Sequence, residues 1–152
     1  MKYLIKKGKH YAKFTINRLF PFVGRKIEGK VKFDMACLIE AKPSGWNKLT
    51  GITGFSIHKN SGRLVWRSDG SKILIAGYVY NKGVRKDIKF TSVMVDRFYN
   101  FSINQVGALW AFSIDDKVIR MDGDIGFWKL RAYPYFGGRA VAPCEMVITI
   151  KT

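Results

Sequence analysis

Hydrophobic and polar residues alternate with a period of two along most of this chain, as in strands that bury one face. The alternation is clearest over residues 31–39 and 72–80 and predicts a strand at each place. The second is followed by Asn81-Lys82-Gly83, a tight-turn signal, and by another alternating stretch at 84–90, which together predict a hairpin. Further strands are predicted at residues 11–17, 52–57, 62–67, 97–105, 108–114, 117–121, 127–133 and 145–151.

Many short strands separated by turn signals predict an all-β fold, an antiparallel jelly-roll β-sandwich. No helix of ordinary length is predicted. We expect one sandwich domain over residues 10–152 and a basic N-terminal arm, residues 1–9, outside it. The first clear strand, 11–17, and the last should pair, because neighbouring terminal strands leave fewer bare edges.

The chain is strongly basic, with 27 Lys and Arg against 11 Asp and Glu and a formal charge of +16. Since such an excess repels itself, it favours an acidic partner: the acidic surface of another protein, an anionic glycan or nucleic acid. Seven basic residues near the N-terminus are the predicted partner contacts. They are Lys2, Lys6, Lys7, Lys9, Lys13, Arg25 and Lys26.

No run of 18 apolar residues is present, so no membrane span and no membrane partner are predicted. The first nine residues have a basic flank but an apolar stretch too short for a signal-peptide core. We therefore expect synthesis in a cytoplasm without a cleaved leader.

Residues typical of catalysis are sparse. His10 and His58 are the only histidines, and neither has an acidic neighbour in sequence that would make it a general base. Asp122 and Asp124 are spaced like the start of a calcium loop, but the downstream Glu is missing. No P-loop or Cys/His metal motif occurs. These observations predict no catalytic residue, no metal and no cofactor, and hence a protein that is not an enzyme.

Two groups of residues are candidates for ligand contact. Trp46, Trp66 and Arg67 could stack on sugars or bases, although the cores of sandwiches also take up tryptophan. Four basic residues of the predicted 72–90 hairpin could contact phosphates, or could simply keep an edge strand soluble. These four are Lys82, Arg85, Lys86 and Lys89.

The C-terminal segment Tyr133-Pro134-Tyr135-Phe136-Gly137-Gly138, followed by Ala142-Pro143 and a final strand, resembles a signature of one protein family. That family comprises uncharacterised phage and phage-derived bacterial proteins with a concanavalin-like jelly-roll sandwich. The resemblance implies the same fold and a place on a virion. Members of the family often carry His-Asp after the Ala-Pro pair, whereas this chain has Cys144 and Glu145, which argues further against catalysis.

Our leading hypothesis from the sequence is a non-enzymatic structural protein of a phage particle, an auxiliary or attachment component, that binds an acidic virion protein through its basic surface. A carbohydrate-binding module for an anionic glycan is the first alternative. A sequence-independent nucleic-acid binder is the second.

Overall fold

The computed structural model describes residues 1–12, 19–39, 45–138 and 140–152, and for residues 19 and 20 it describes the backbone only. Its strands are short and antiparallel, as the alternation predicted. They are β1 (Lys2–Ile5), β2 (Leu19–Pro21), β3 (Lys26–Phe33), β4 (Asn47–Thr53), β5 (Ser61–Ser68), β6 (Ile73–Asn81), β7 (Val84–Val93), β8 (Tyr99–Val106), β9 (Leu109–Ile114), β10 (Lys117–Asp122), β11 (Leu130–Ala132) and β12 (Met146–Lys151).

The strands form two six-stranded sheets that pack face to face as a jelly-roll sandwich, which confirms the predicted fold class. Sheet 1 has the order β1-β12-β3-β8-β9-β10, and sheet 2 has the order β2-β11-β4-β5-β6-β7. The predicted hairpin is β6–β7, whose turn holds Lys82 and Gly83 at φ of 50° and 86°. Positive φ at both turn residues matches the right-handed twist of the flanking strands.

The core lies between the sheets and is rich in aromatic rings. Trp66 of β5 packs on Phe33 and Phe136, with ring centroids 5.3 and 6.0 Å away. The Trp110 ring of β9 lies directly against Gly62 of β5, where a Cβ atom would come within 2.3 Å of the indole. A glycine is therefore required at this contact between the two sheets.

Connections between strands gather at two ends of the sandwich. The front end is the one where β3 begins, and the rear end is the one where β3 finishes. From the strand register, the loops at 22–25, 54–60, 82–83, 107–108 and 123–129 all lie at the front end.

The N-terminal segment is not an arm outside the sandwich, and that prediction is wrong. Residues 2–5 form β1, paired with β12 from Lys2 opposite Thr149 to Ile5 opposite Met146. Tyr3 and Ile5 point into the core, because alternate positions of this short strand are apolar. The last strand therefore lies between β1 and β3, whereas we expected it beside 11–17. Residues 13–17 of that expected strand lie outside the described residues.

The predicted strand over 31–39 is also only partly correct. Strand β3 ends at Phe33, and residues 35–38 form a 3₁₀ turn. Asp34 caps this turn: one side-chain oxygen accepts from the Cys37 backbone N–H, and the other accepts from the Val147 N–H at 2.8 Å. A side chain that bonds nearby N–H groups competes with the strand ladder, which period-two counting ignores.

Replacing Ile5 by Ala should destabilise the protein by about 2–5 kcal/mol, because Ile5 is fully buried and its loss leaves a cavity. Urea unfolding measures the change, with Lys6→Ala, at an exposed neighbouring position, as the control. If the two variants were equally stable, the result would instead support the sequence-based prediction that residues 1–9 form an arm outside the sandwich.

Candidate functional site

The outer face of sheet 2 is polar, basic and aromatic, and it arises from the alternation of β5 and β6. Leu64 and Trp66 of β5 point into the core, so Arg63 of the same strand points outward. On β6, Tyr78 pairs with Arg63, and Tyr80 lies two residues further along the same face. The neighbouring strands add Lys48 of β4, opposite Val65, and Arg85 of β7, opposite Tyr80.

These five residues, Lys48, Arg63, Tyr78, Tyr80 and Arg85, form what we call the cationic face. The Arg63 guanidinium carbon lies 5.0 Å from the Tyr78 ring centroid and 5.8 Å from that of Tyr80. The Lys48 Nζ atom lies 5.4 Å from the same Tyr78 ring. Two cations thus share one aromatic ring, an arrangement that cation–π attraction stabilises.

Arg63 is the central residue of the face and is only 5% exposed. Its side chain fits because β4 carries Gly51 opposite it, where a Cβ atom would lie 2.4 Å from the Arg63 Cγ. One terminal nitrogen donates to the Ile57 carbonyl at 3.4 Å, and Nε has no hydrogen-bond partner. A buried arginine normally pairs with a carboxylate. Within the described residues Arg63 has no such salt bridge.

One carboxylate borders the face. Asp87 of β7 lies 3.8 Å from the Nε of Arg85 and accepts a 2.9 Å hydrogen bond from the Trp46 indole N–H. Lys48 donates to the Trp46 carbonyl at 2.8 Å. Counting described residues alone, three basic side chains therefore face one carboxylate, so this part of the face carries a net positive charge.

Burial and mutual repulsion alter the ionisation of these groups. Burial first, and then the charges of Arg63 and Arg85, lower the pKa of Lys48 to about 8. Burial likewise raises the pKa of Tyr78, and its hydrogen bond with Tyr80 acts in the same direction. The site thus holds a lysine that is partly neutral near physiological pH beside a tyrosine that remains protonated.

Further side chains flank the cationic face. The Trp46 indole packs beside Val65 and carries the Arg67 guanidinium 4.5 Å from its centroid.

On the other side of the cationic face, backbone hydrogen bonds pair Tyr135 with Lys48, and the His10 ring stacks on the Tyr135 ring with the centroids 5.1 Å apart. Towards the front end, His58 meets Tyr80 edge-on at 5.4 Å.

Of the predicted stacking residues, two reach this face and one does not. Trp46 and Arg67 lie together at its border. Trp66 is 1% exposed and forms part of the core, so its predicted contact with a ligand is wrong. Its position in β5 has the parity of Leu64 and not that of Arg63, which assigns it to the inner side.

The seven predicted partner contacts do not form one surface. Lys6, Lys7 and Lys9 follow β1 at the rear end, whereas Arg25 and Lys26 precede or begin β3 at the front end, roughly 25 Å away along an eight-residue strand. Lys26 forms a 2.5 Å salt bridge with Glu28. The described members of the set are all exposed. Lys2 lies in β1 on sheet 1, and Lys13 lies outside the described residues.

The four predicted phosphate contacts are exposed on the β6–β7 hairpin. Arg85 belongs to the cationic face, and Lys89, opposite Ala76, lies further along the same side. Lys82 occupies the turn, and Lys86 alternates to the other side of the edge strand. Sequence reasoning weighed these lysines and overlooked Lys48, Arg63, Tyr78 and Tyr80. The alternation offered a signal that could have found them. Arg63 and Arg67 lie on the same face of one predicted strand, and Tyr78 and Tyr80 lie on the same face of another.

No group of three or more His, Cys, Asp or Glu side chains in the described ranges could hold a metal ion. A search of the same residues finds no helix long and apolar enough to cross a membrane.

Comparison with solved structures places this fold beside alginate lyases. The lyase AlyC3 matches with a TM-score of 0.68 and 9% identity over 99% of this chain and 72% of that one. Alginate lyase A1-II′, of polysaccharide lyase family 7, gives 0.59 and 12% over 93% and 66%. The Klebsiella pneumoniae alginate lyase gives 0.63 and 11% over 82% of this chain and 56% of that one. This chain therefore spans only part of these enzymes, and identities this low show a shared fold alone. No family model and no curated protein sequence matches.

These comparisons correct two sequence-based expectations. The prediction that the chain is not an enzyme is contradicted, because several solved structures that share its fold are enzymes, the alginate lyases named above. That prediction relied on missing carboxylate pairs and histidine partners and did not consider cations and phenols on a sheet face. The resemblance to phage proteins is supported for the jelly-roll fold only, and nothing in the comparisons supports a virion role.

Replacing Lys48 by Met should stabilise the protein near pH 7, because the native state keeps a half-buried ammonium among other cations. The pKa of Lys48 is about 8 in the folded state, below the unfolded value near 10.4. Between these two pH values the folded state therefore binds fewer protons than the unfolded state. Wild-type stability therefore rises as the pH increases through this window. The stability gained by Lys48→Met should therefore shrink as the pH rises through the same window.

Urea unfolding between pH 7 and pH 10 measures this difference, with Lys89→Met on exposed β7 as the control. A pH-independent difference, or one equal to the control, would contradict the lowered pKa of Lys48.

Proposed function

We propose that this protein binds an acidic polysaccharide across the outer face of sheet 2 and cleaves it by β-elimination. The single observation that carries the proposal is the buried Arg63, which has no carboxylate partner in the part of the chain that the structure describes and is flanked by Lys48, Tyr78 and Arg85. Its fold, shared with alginate lyases, supports the same conclusion.

Sugar carboxylates suit this face in both charge and shape. A guanidinium presents N–H donors in a planar fork that matches a carboxylate. The aromatic rings beside it offer apolar surface to the C–H groups of a pyranose. A repeating polyanion would also be drawn to a chain of charge +16 from a distance, with a strong dependence on salt.

Eliminative cleavage next to a carboxylate needs three groups. A cation must neutralise the carboxylate so that the proton on C5 becomes acidic, and Arg63 with Arg85 fills that role. Neutral Lys48 takes this proton. The electron pair of the C5–H bond forms the C4=C5 double bond, the C4–O4 bond breaks, and the leaving oxygen takes a proton from the phenol of Tyr78 or Tyr80. Paired carboxylates are not required, so their absence from the sequence is compatible with this reaction.

Incubation with alginate and with polygalacturonate should generate ultraviolet absorbance from the new double bond. Replacing Arg63 by Met should lower kcat/KM by about 10²–10³-fold, the usual effect of removing one preorganised electrostatic group. Arg120→Met removes one exposed charge from β10 on the other sheet and should leave the rate unchanged. Arg85→Gln, at an exposed position, tests the same face with little risk to folding.

The pH profile assigns the proton acceptor. The value of kcat/KM should rise as the pH passes about 8, because Lys48 of the free protein then loses its proton, whereas kcat should rise only at higher pH, because a bound carboxylate favours the charged lysine. Binding of both polymers with no double bond formed would reduce the proposal to glycan binding. Failure to bind either polymer, together with tight, salt-sensitive binding to DNA of any sequence, would instead support the nucleic-acid alternative.

A further inference from the structure

The front end of the sandwich exposes a group of large apolar side chains that the cationic face does not use. They are Val23, Phe55, Val84, Val106, Phe127 and Trp128, and we call them the front apolar patch. Their exposures are 103, 88, 71, 62, 88 and 73%, respectively. Each of these residues lies either within one of the five front-end loops or at the end of a strand next to one.

Backbone contacts fix several of these loops against one another. Gly54, next to Phe55, packs on the Ile125 carbonyl, with a hypothetical Cβ atom 3.1 Å away. The Lys129 Nζ, beside Trp128, donates to the Gly24 carbonyl at 2.9 Å. The Gly83 N–H donates to the Lys59 carbonyl at 2.9 Å. These contacts hold the loops at 22–25, 54–60, 82–83 and 123–129 next to one another at the front end.

Exposed apolar area of this size is unusual for a soluble protein. Phenylalanine and tryptophan each bury roughly 150–250 Å² when covered, so three such residues alone reach the size of the largest patch on a typical monomer. Patches of this extent mark interaction surfaces.

The geometry points to the surface of an anionic lipid bilayer as the partner, and we propose that the front apolar patch inserts into it. Exposed Arg25, Lys59 and Lys82 border the patch, against Asp122 and Asp124 at the same end. The whole chain carries +16, so an anionic membrane would attract it and the apolar tips would enter the interface. The absence of an apolar span, from which we predicted no membrane partner, does not bear on insertion by loop tips.

Two other occupants fit the same observations less well. Two copies meeting end to end would bring these basic residues together, and like charges oppose such a contact. A polysaccharide would need a flat stacking surface, but the Phe127 and Trp128 rings are perpendicular, at 90° with centroids 5.6 Å apart. Valines provide no ring for stacking, whereas a fluid bilayer accepts apolar tips of any shape.

Flotation with phosphatidylcholine vesicles, with and without phosphatidylglycerol, tests the proposal. The protein should bind the anionic vesicles. Phe127→Ser combined with Trp128→Ser should weaken that binding by at least about tenfold, because two large apolar side chains lose their insertion. The control is Val118→Ser, which removes a half-exposed valine from the rear end of β10 and should bind like the wild type.

Emission from tryptophan checks insertion directly. Trp66 and Trp110 are already buried, and Trp46 is half-buried at the border of the cationic face, so the measurement is made in a Trp46→Phe background, where a blue shift and quenching by brominated lipid tails should come mainly from Trp128. Equal binding of the double variant and the control, or no quenching, would overturn the proposal in favour of surface electrostatics. A concentration-dependent dimer that the double variant abolishes would overturn it in favour of a second copy.

Arg63→Met should bind vesicles like the wild type whether or not it cleaves a polysaccharide. Loss of lipid binding in that variant would mean that the cationic face, and not the apolar patch, holds the membrane. The outcomes for the two surfaces are thus separable.

Discussion

The candidate site depends on a guanidinium that lies beside two phenol rings and that, among the described residues, has no carboxylate to neutralise it. Arg63 is buried by Tyr78 and Tyr80 and bonds a backbone carbonyl, while Lys48 shares the Tyr78 ring. Removing a charge from water costs free energy unless a partner compensates for it. Cation–π contacts compensate in part, and an anionic ligand would supply the remainder. The face therefore carries positive charge that the described residues do not neutralise.

The sandwich supplies the geometry that this arrangement requires. Antiparallel pairing sets Arg63 directly opposite Tyr78, and the alternation of β5 sends Trp66 inward to hold the sheets together. Gly51 on the adjacent strand leaves space for the Arg63 stem. One strand thus contributes both a core residue and the centre of the site, so the position of the site is tied to the packing beneath it. A site built on sheet strands is held more rigidly than one built on loops.

The fold class could be predicted from the sequence because alternation and turn signals are local. The hairpin at Asn81-Lys82-Gly83 is an example, since its turn chemistry lies within three residues. The fate of residues 2–5 could not be predicted in this way, because four residues become a strand only when β12 supplies the partner. Strand β3 ends just before Asp34, whose side chain accepts a hydrogen bond from the Val147 N–H. The two residues are more than 100 positions apart, so no local sequence pattern contains this contact.

The candidate site was predicted only at its border. Of the predicted stacking residues Trp46, Trp66 and Arg67, Trp46 and Arg67 lie against each other at this border, whereas the prediction did not include Lys48 or Tyr78. Their meeting depends on the register between β4, β5 and β6, which is a property of the fold. Charge counting indicated an acidic partner, which stays a prediction, and it pointed to basic residues near the N-terminus that the fold divides between two ends of the molecule.

The most direct test of the cationic face is the pKa of Lys48, measured by NMR of its side-chain signals with and without a short oligouronate. In the free protein the pKa should lie near 8. A carboxylate bound among Lys48, Arg63 and Arg85 favours the charged form, so saturation should raise the pKa towards the usual lysine value. A pKa that stays the same at saturation, while other parts of the protein respond to the ligand, would contradict the account.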